Sequence, residues 1–409
     1  MLARLILLLG VLLAASPALA EPDFLAPETL SGMLDLRLAD SQGEKSWLNH
    51  DLGKTRVGGD GFQASVGEAD IAWRPQFDWE WSGLVEAEDQ PDHDGGPRIG
   101  QAYLTYKPVP TGETRYSVRA GLFYPPISEE HSGPFWTPTE TITPSAINSW
   151  VGEEVKVAAL EATVQRAVGG QTVSLTGAVF GYNDTAGTLL VARGWSLDDV
   201  RTGTPSQYQL PPLGGILTHV QATITTPVLN LDSRPGGYGR VDWRPRGDLD
   251  LNLFYYDNAG DRISRQAHQW AWRTRFWNLG LRYDLDASTT LLGQAMTGST
   301  QMGYGDPDLW VKTEFSAGYL MAVRRLGDDS VSARADLFQT VNRADPDYGL
   351  TQERGWALTA DYRKALGSHA ALLFELLHVS SDRPARLAIL FEPPRQDQTV
   401  LQMALRLSF

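Results

Sequence analysis

The chain has 409 residues, a formal net charge of −14, no cysteine, and abundant glycine (40) and aromatics (13 Trp, 14 Tyr, 13 Phe). The acidity excludes the basic footprint of a nucleic-acid partner, and the lack of cysteine excludes a disulfide-stapled fold. Seven histidines show no paired ligand spacing and no Gly-rich phosphate loop opens a helix, so neither a metal nor another cofactor is expected.

The N-terminus, MLARLILLLGVLLAASPALA, carries Arg4, an apolar run from Leu5 to Ala15, and small residues at Ala18 and Ala20. This layout predicts a cleaved export signal over 1–20, with an apolar run too short to cross a bilayer. Residues 21–409 hold no second long apolar stretch, so a single exported domain without a helical anchor is expected.

Beyond the signal, apolar residues recur with a period of two, which puts them on one face of a strand and the residues between them on the other. In chain order the segments are Leu34/Leu36/Leu38, Phe77/Trp79/Trp81, Tyr116/Val118/Ala120/Leu122 and Leu249/Leu251/Leu253/Tyr255. Then come Trp277/Leu279/Leu281/Tyr283, Phe315/Ala317/Tyr319/Met321/Val323, Trp356/Leu358/Ala360/Tyr362, Ala370/Leu372/Phe374/Leu376 and finally Leu401/Met403/Leu405/Leu407/Phe409. Short turns such as RPQ (74–76), AVGG (167–170) and LGDDS (326–330) alternate with long connections near 40–60, 88–98, 124–153, 182–235, 258–270, 298–310, 341–352 and 380–396. Counting hairpins gives sixteen strands. Residues 216–226 are assigned to the fourth long loop, because a strand there would break the parity.

This alternation of short turns and long loops, with a last strand LQMALRLSF ending on Phe409, resembles Gram-negative outer-membrane porins, most loosely the phosphate- or polyphosphate-selective family. The resemblance implies an all-β, transmembrane, antiparallel up-and-down β-barrel of about sixteen strands with short periplasmic turns and long extracellular loops. It also implies Phe409 as the signal read by the barrel-assembly machinery, contact with outer-membrane lipid and lipopolysaccharide, and, as in many porins, a homotrimer. The implied function is a water-filled channel for passive diffusion of small hydrophilic solutes or ions.

If the apolar rows face lipid, the residues between them line the lumen, where an Arg or Lys avoids the roughly 2–4 kcal/mol cost of mid-bilayer exposure. The predicted wall includes acids Asp35, Glu68, Asp70, Asp78, Glu80, Glu86, Asp250, Glu314, Asp336, Asp361 and Glu375, with bases Arg37, Lys107, Arg115, Arg119, Arg240, Arg282, Arg334, Arg363 and Arg406. Acids crowd strands two and three, and Arg37, Arg363 and Arg406 become neighbours when the barrel closes. The acidic wall argues against phosphate selectivity.

A sixteen-strand barrel leaks unless something narrows it. The segment 124–153, stiffened by Pro125, Pro126, Pro134, Pro138 and Pro144, is the candidate pore-constricting loop, as the third long loop is in porins. Its charged tip would be Glu129, Glu130 and His131, near Arg115 and Arg119, with Thr143 capping a short helix from Pro144 to Asn148. The competing reading is a phospholipase-type outer-membrane lipid hydrolase, suggested by His378-Val379-Ser380. Such barrels need an Asn on the next strand to orient the His, and 398–409 contains none. No catalytic residue is therefore assigned.

Overall fold

The two-residue period is realised as sixteen antiparallel strands that close on themselves. The computed structural model describes residues 26–409 except 91–95, 246, 305–309 and 345–349; the predicted export signal, and most of the acidic pieces DQPDHDGG, GDPD and ADPDYG, lie outside the described residues. The strands are β1 (Leu30–Gln42), β2 (Gly61–Trp73), β3 (Trp81–Asp89), β4 (Arg98–Tyr106), β5 (Thr114–Phe123), β6 (Val157–Val168), β7 (Gln171–Gly181) and β8 (Gly236–Arg244). The second half comprises β9 (Leu249–Asp257), β10 (Arg273–Asp286), β11 (Thr289–Gly303), β12 (Trp310–Leu326), β13 (Asp329–Asn342), β14 (Glu353–Ala365), β15 (Ala370–Asp382) and β16 (Arg395–Ser408). Each strand pairs with its chain neighbours, and β16 returns to β1 with Asp35 opposite Arg406. Closure leaves no unpaired edge, which a backbone in lipid requires.

The expected outward rows hold on most strands. Leu401 is 57% exposed and Leu279 51%, whereas their neighbours Gln402 and Asn278 are buried inside. One row is inverted: on β12, Met321 is 1% exposed and Leu320 54%, so Phe315, Ala317, Tyr319, Met321 and Val323 point into the barrel and Glu314 points out. The cause is an apolar cluster inside the lumen, where Trp150 lies 5.2 Å from Phe315 and 5.5 Å from Phe276 between ring centroids, and Trp195 joins them. An inward apolar row is stable there because loops, rather than lipid, cover it.

Three long loops supply that cover: L1 (43–60), L3 (124–156) and L4 (182–235). L3 carries helix α1 (Ala146–Glu154), capped by Ser145, whose Oγ accepts from the Asn148 amide. Pro144 therefore precedes the cap, and the helix starts later and runs further than the expected Pro144–Asn148 turn. L4 carries α2 (Thr188–Arg193) and α3 (Leu217–Val220), so residues 216–226 do lie within this loop, outside the barrel. Phe77 and Trp79 belong to the turn before β3, which begins only at Trp81.

Candidate pore constriction

L3 leaves β5 at Phe123 and circles the inside of the wall before rejoining β6. Glu129 accepts from Asn252 Nδ2 on β9 at 2.7 Å and faces Arg240 on β8 at 3.4 Å. Glu130 meets Arg334 on β13 at 2.9 Å and accepts from the Ser145 amide and hydroxyl, folding the loop back on itself. Further along, Pro138 O accepts from Arg406 Nη1 at 2.7 Å, and Glu375 on β15 accepts from the Ile142 and Thr143 amides. Arg334 is the hub: its guanidinium donates to Asp336, Glu130, the Thr143 and Pro144 carbonyls and Thr359. A planar five-donor group can satisfy all of these at once, which an ammonium could not.

His131 stacks on Trp136 with ring centroids 3.7 Å apart, and Trp136 stacks on Tyr124 at 3.9 Å. Its Nδ1 bonds the Ser128 hydroxyl at 2.7 Å. Burial in this stack, with the Arg201 guanidinium nearby, holds the imidazole well below its ordinary value, so it is neutral. Burial pushes Glu129 up, against the pull of Arg240.

Below L3, toward the short turns, lies a cavity of about 550 Å³. Arg119 and Glu161 line it as an ion pair 2.9 Å apart, with the Arg119 guanidinium 3.7 Å over the Phe123 ring. Arg240, Asp242, Thr163 and Tyr103 complete much of its wall. Arg115 lies further down β5 and is exposed at the short-turn end. Arg282 points inward and faces Asp284 at 3.5 Å, about half exposed.

The remaining predicted wall residues separate into deep and peripheral groups. Asp35 bridges Arg37 and Arg406 at 2.9 Å each, so those two arginines are neighbours through a shared carboxylate. Arg363 instead reaches the Asp328 carbonyl at the turn after β12, at 3.3 Å. Glu80 sits in the turn before β3, bonded to the Val109 amide at 3.2 Å, on the rim rather than the wall. Glu314 is outside the barrel, paired with Arg343 at 2.8 Å. Phe409 closes the β1–β16 seam through reciprocal backbone bonds with Gly32, and the residue is 71% exposed.

Sequence reasoning missed the charges carried by loops. Lys54 of L1 pairs with Glu353 on β14, and Arg193 of L4 pairs with Glu153 of α1. Burial pushes Lys54 down to about 8 and Glu153 well above the carboxylate range. Glu154 accepts from the Gly187 and Leu189 amides at the start of α2, tying L3 to L4. No period marks such residues, because a loop that pairs by charge across the lumen repeats nothing along the chain.

The His378–Ser380 pair does not form a nucleophile and its base. Both face outward on β15, but His378 Nδ1 bonds Thr399 Oγ1 at 2.9 Å and the Ser380 hydroxyl bonds the Asp397 carboxylate. Each finds its partner on β16. Among the described residues, no group of three or more His, Cys, Asp or Glu could hold a metal ion.

No protein-family model matches the sequence, and no curated protein is similar to it. Solved structures are similar in fold. The outer membrane channel DcaP of Acinetobacter baumannii superposes with a TM-score of 0.57 at 12% identity, covering 93% of this chain and 96% of that one. An anion-selective porin from Comamonas acidovorans gives 0.51 at 15% identity over 93% and 99%. The trimer form of OmpT, an outer membrane protein of Vibrio cholerae, gives 0.51 at 8% identity over 93% and 99%. The chain thus has the barrel fold of these proteins.

Proposed function

We propose that the chain is an outer-membrane porin, a channel for passive diffusion of small hydrophilic solutes or ions, without covalent chemistry. The observation that carries this reading is the two-sided wall: a closed sixteen-strand barrel, apolar outside and lined within by ion-paired polar side chains above a vestibule of about 550 Å³. Its fold neighbours, a channel and an anion-selective porin among them, support it. L3 is the constriction, held across the lumen by Glu129, Glu130 and Arg334. The mature protein sits in outer-membrane lipid and lipopolysaccharide after export and removal of residues 1–20. Phe409 is the segment the barrel-assembly machinery reads. A homotrimer is the expected assembly, supported by the trimer form of the Vibrio cholerae protein.

The test is solute entry into liposomes containing the purified protein. Swelling rates should fall steeply with solute size and vanish for large oligosaccharides. Liposomes that stay tight to every small solute, yet show lipid hydrolysis, would replace the channel with the hydrolase.

A further inference from the structure

The long-loop end of the barrel is filled chiefly by L4. Inward residues around that end, Thr274, Thr300, Thr313, Thr340, Glu353 and Ser381 on β10 to β15, are each no more than 2% exposed. A water-filled mouth would wet all of them. Every residue from 183 to 203 is buried. L4 first crosses to β13 and β14, where Trp195 Nε1 donates to Gln339 O and its amide to Glu353. It turns at Gly194, whose φ of 78° and tight packing on Glu353 and Arg383 suit only glycine. It then returns along L1 to the opposite wall, ending in an antiparallel bridge between Thr204 and Ile99 of β4.

At the end of this return run, Asp199 and Arg201 are seated in two wall subsites of opposite charge. Asp199 is held by Arg37 of β1 at 2.5 Å and Arg56 of L1 at 3.0 Å. Burial opposes its ionisation, but the two guanidiniums hold the carboxyl well below the usual range. Gly67, at the β1–β2 bulge, makes room for Arg37, because a Cβ there would strike its guanidinium. Arg201 is held by Glu68 at 2.6 Å and Asp70 at 3.0 Å on β2, with Glu88 of β3 at 3.7 Å. This second subsite is under-filled: Asp70 Oδ1, Glu86 Oε1 and both Glu88 oxygens are buried without a hydrogen-bond partner among the described residues.

We propose that L4 is a plug whose tip, Asp199-Val200-Arg201, occupies a bipolar receptor on the wall, and that small zwitterions compete with it and open the mouth. The inference rests on the channel reading above. Withdrawing the tip removes Asp199 from beside Arg37, which then shares the Asp35 carboxylate with Arg406, and removes Arg201 from Glu68, Asp70 and Glu88, beside which Lys156 remains 4.0 Å from Glu88; each subsite then has less counter-charge than its buried groups call for. A simple salt ion compensates one subsite. A molecule with a carboxylate at one end and a guanidinium or ammonium at the other compensates both, and the unused carboxylate oxygens offer a free guanidinium more acceptors than Arg201 uses. The receptor therefore favours amino-acid-like solutes, basic ones above all.

The test is single-channel conductance of the full chain in planar bilayers, with arginine added on the long-loop side against potassium chloride of equal ionic strength. Two variants accompany it: Asp199→Ala/Arg201→Ala, which removes the tip charges, and Ile99→Cys/Thr204→Cys, which can lock L4 by a disulfide in a chain with no cysteine of its own. The tip variant should conduct several-fold more than the parent. Arginine should raise the parent's open probability several-fold, leave the oxidised lock unchanged, and act again once the lock is reduced. Equal conductance in parent and tip variant, or arginine acting equally on the oxidised lock, overturns the plug while leaving a channel in place. Absence of current in every form, the tip variant included, overturns the channel reading and the plug with it.

Discussion

Arg334→Ala tests whether L3 is held across the lumen by charge. The side chain is fully buried and binds two points of the loop far apart in sequence, Glu130 and the Thr143–Pro144 carbonyls, while also pairing with Asp336. Removing it leaves two carboxylates buried without their cation, for which a cost of about 3–5 kcal/mol is typical. At ~1.4 kcal/mol per tenfold, that shifts the balance between docked and released L3 by roughly a hundredfold or more. The measurement pairs single-channel conductance with limited proteolysis of the folded barrel. Conductance should rise and cleavage should appear between 128 and 144. Arg334→Lys, which keeps the charge but loses the fork, should fall between the two. If Arg334→Ala conducts like the parent and stays protease-resistant, L3 is held by something other than this hub, and the reasoning fails.

Three further outcomes follow from the same geometry. Docked L3 keeps His131 neutral, with a value well below its ordinary 6.5, whereas a released loop takes up a proton there; acidification through 6.5 therefore favours release. Conductance should rise below that pH in the parent and lose this dependence in His131→Gln. On β12, Met321→Ala should destabilise the barrel by about 2–5 kcal/mol through an internal cavity, and Leu320→Arg by roughly 2–4 kcal/mol through exposure to lipid; urea unfolding in liposomes reads both, and indifference to Met321→Ala would contradict the inverted phase. Deleting Phe409 should strongly reduce the folded protein recovered from the outer membrane of a Gram-negative host while refolding in detergent persists; equal recovery would remove its assembly role.

The barrel was legible because lipid imposes one rule on every strand. Rows such as Leu279/Leu281 and Leu401/Leu407 follow it, and the number and order of the strands from β1 to β16 follow from counting turns. The rule fails on β12 because Phe315 faces Trp150, a loop residue whose position no local pattern reveals, and Met321 belongs to the same inner apolar cluster. The same limit applies to the site. Glu129, Glu130, His131 and Arg119 could be named from the proline-stiffened third loop and the phase of β5. Arg201, Asp199, Lys54 and Glu153 could not, since their partners lie more than ninety residues away or on unperiodic loops, and charge pairing across a lumen leaves no trace in local spacing. Glu80 reads as a wall residue from the alternation alone because Phe77 and Trp79 mimic a strand that starts only at Trp81.

The most direct check of the two-sided wall compares adjacent positions on β6. Thr163 lines the vestibule, and Val164 points outward at 40% exposure. Current through Thr163→Cys should drop when a charged, water-soluble thiol reagent is added, and current through Val164→Cys should not. Equal modification at both sites, or block at 164 alone, would contradict a barrel with lipid outside and water within.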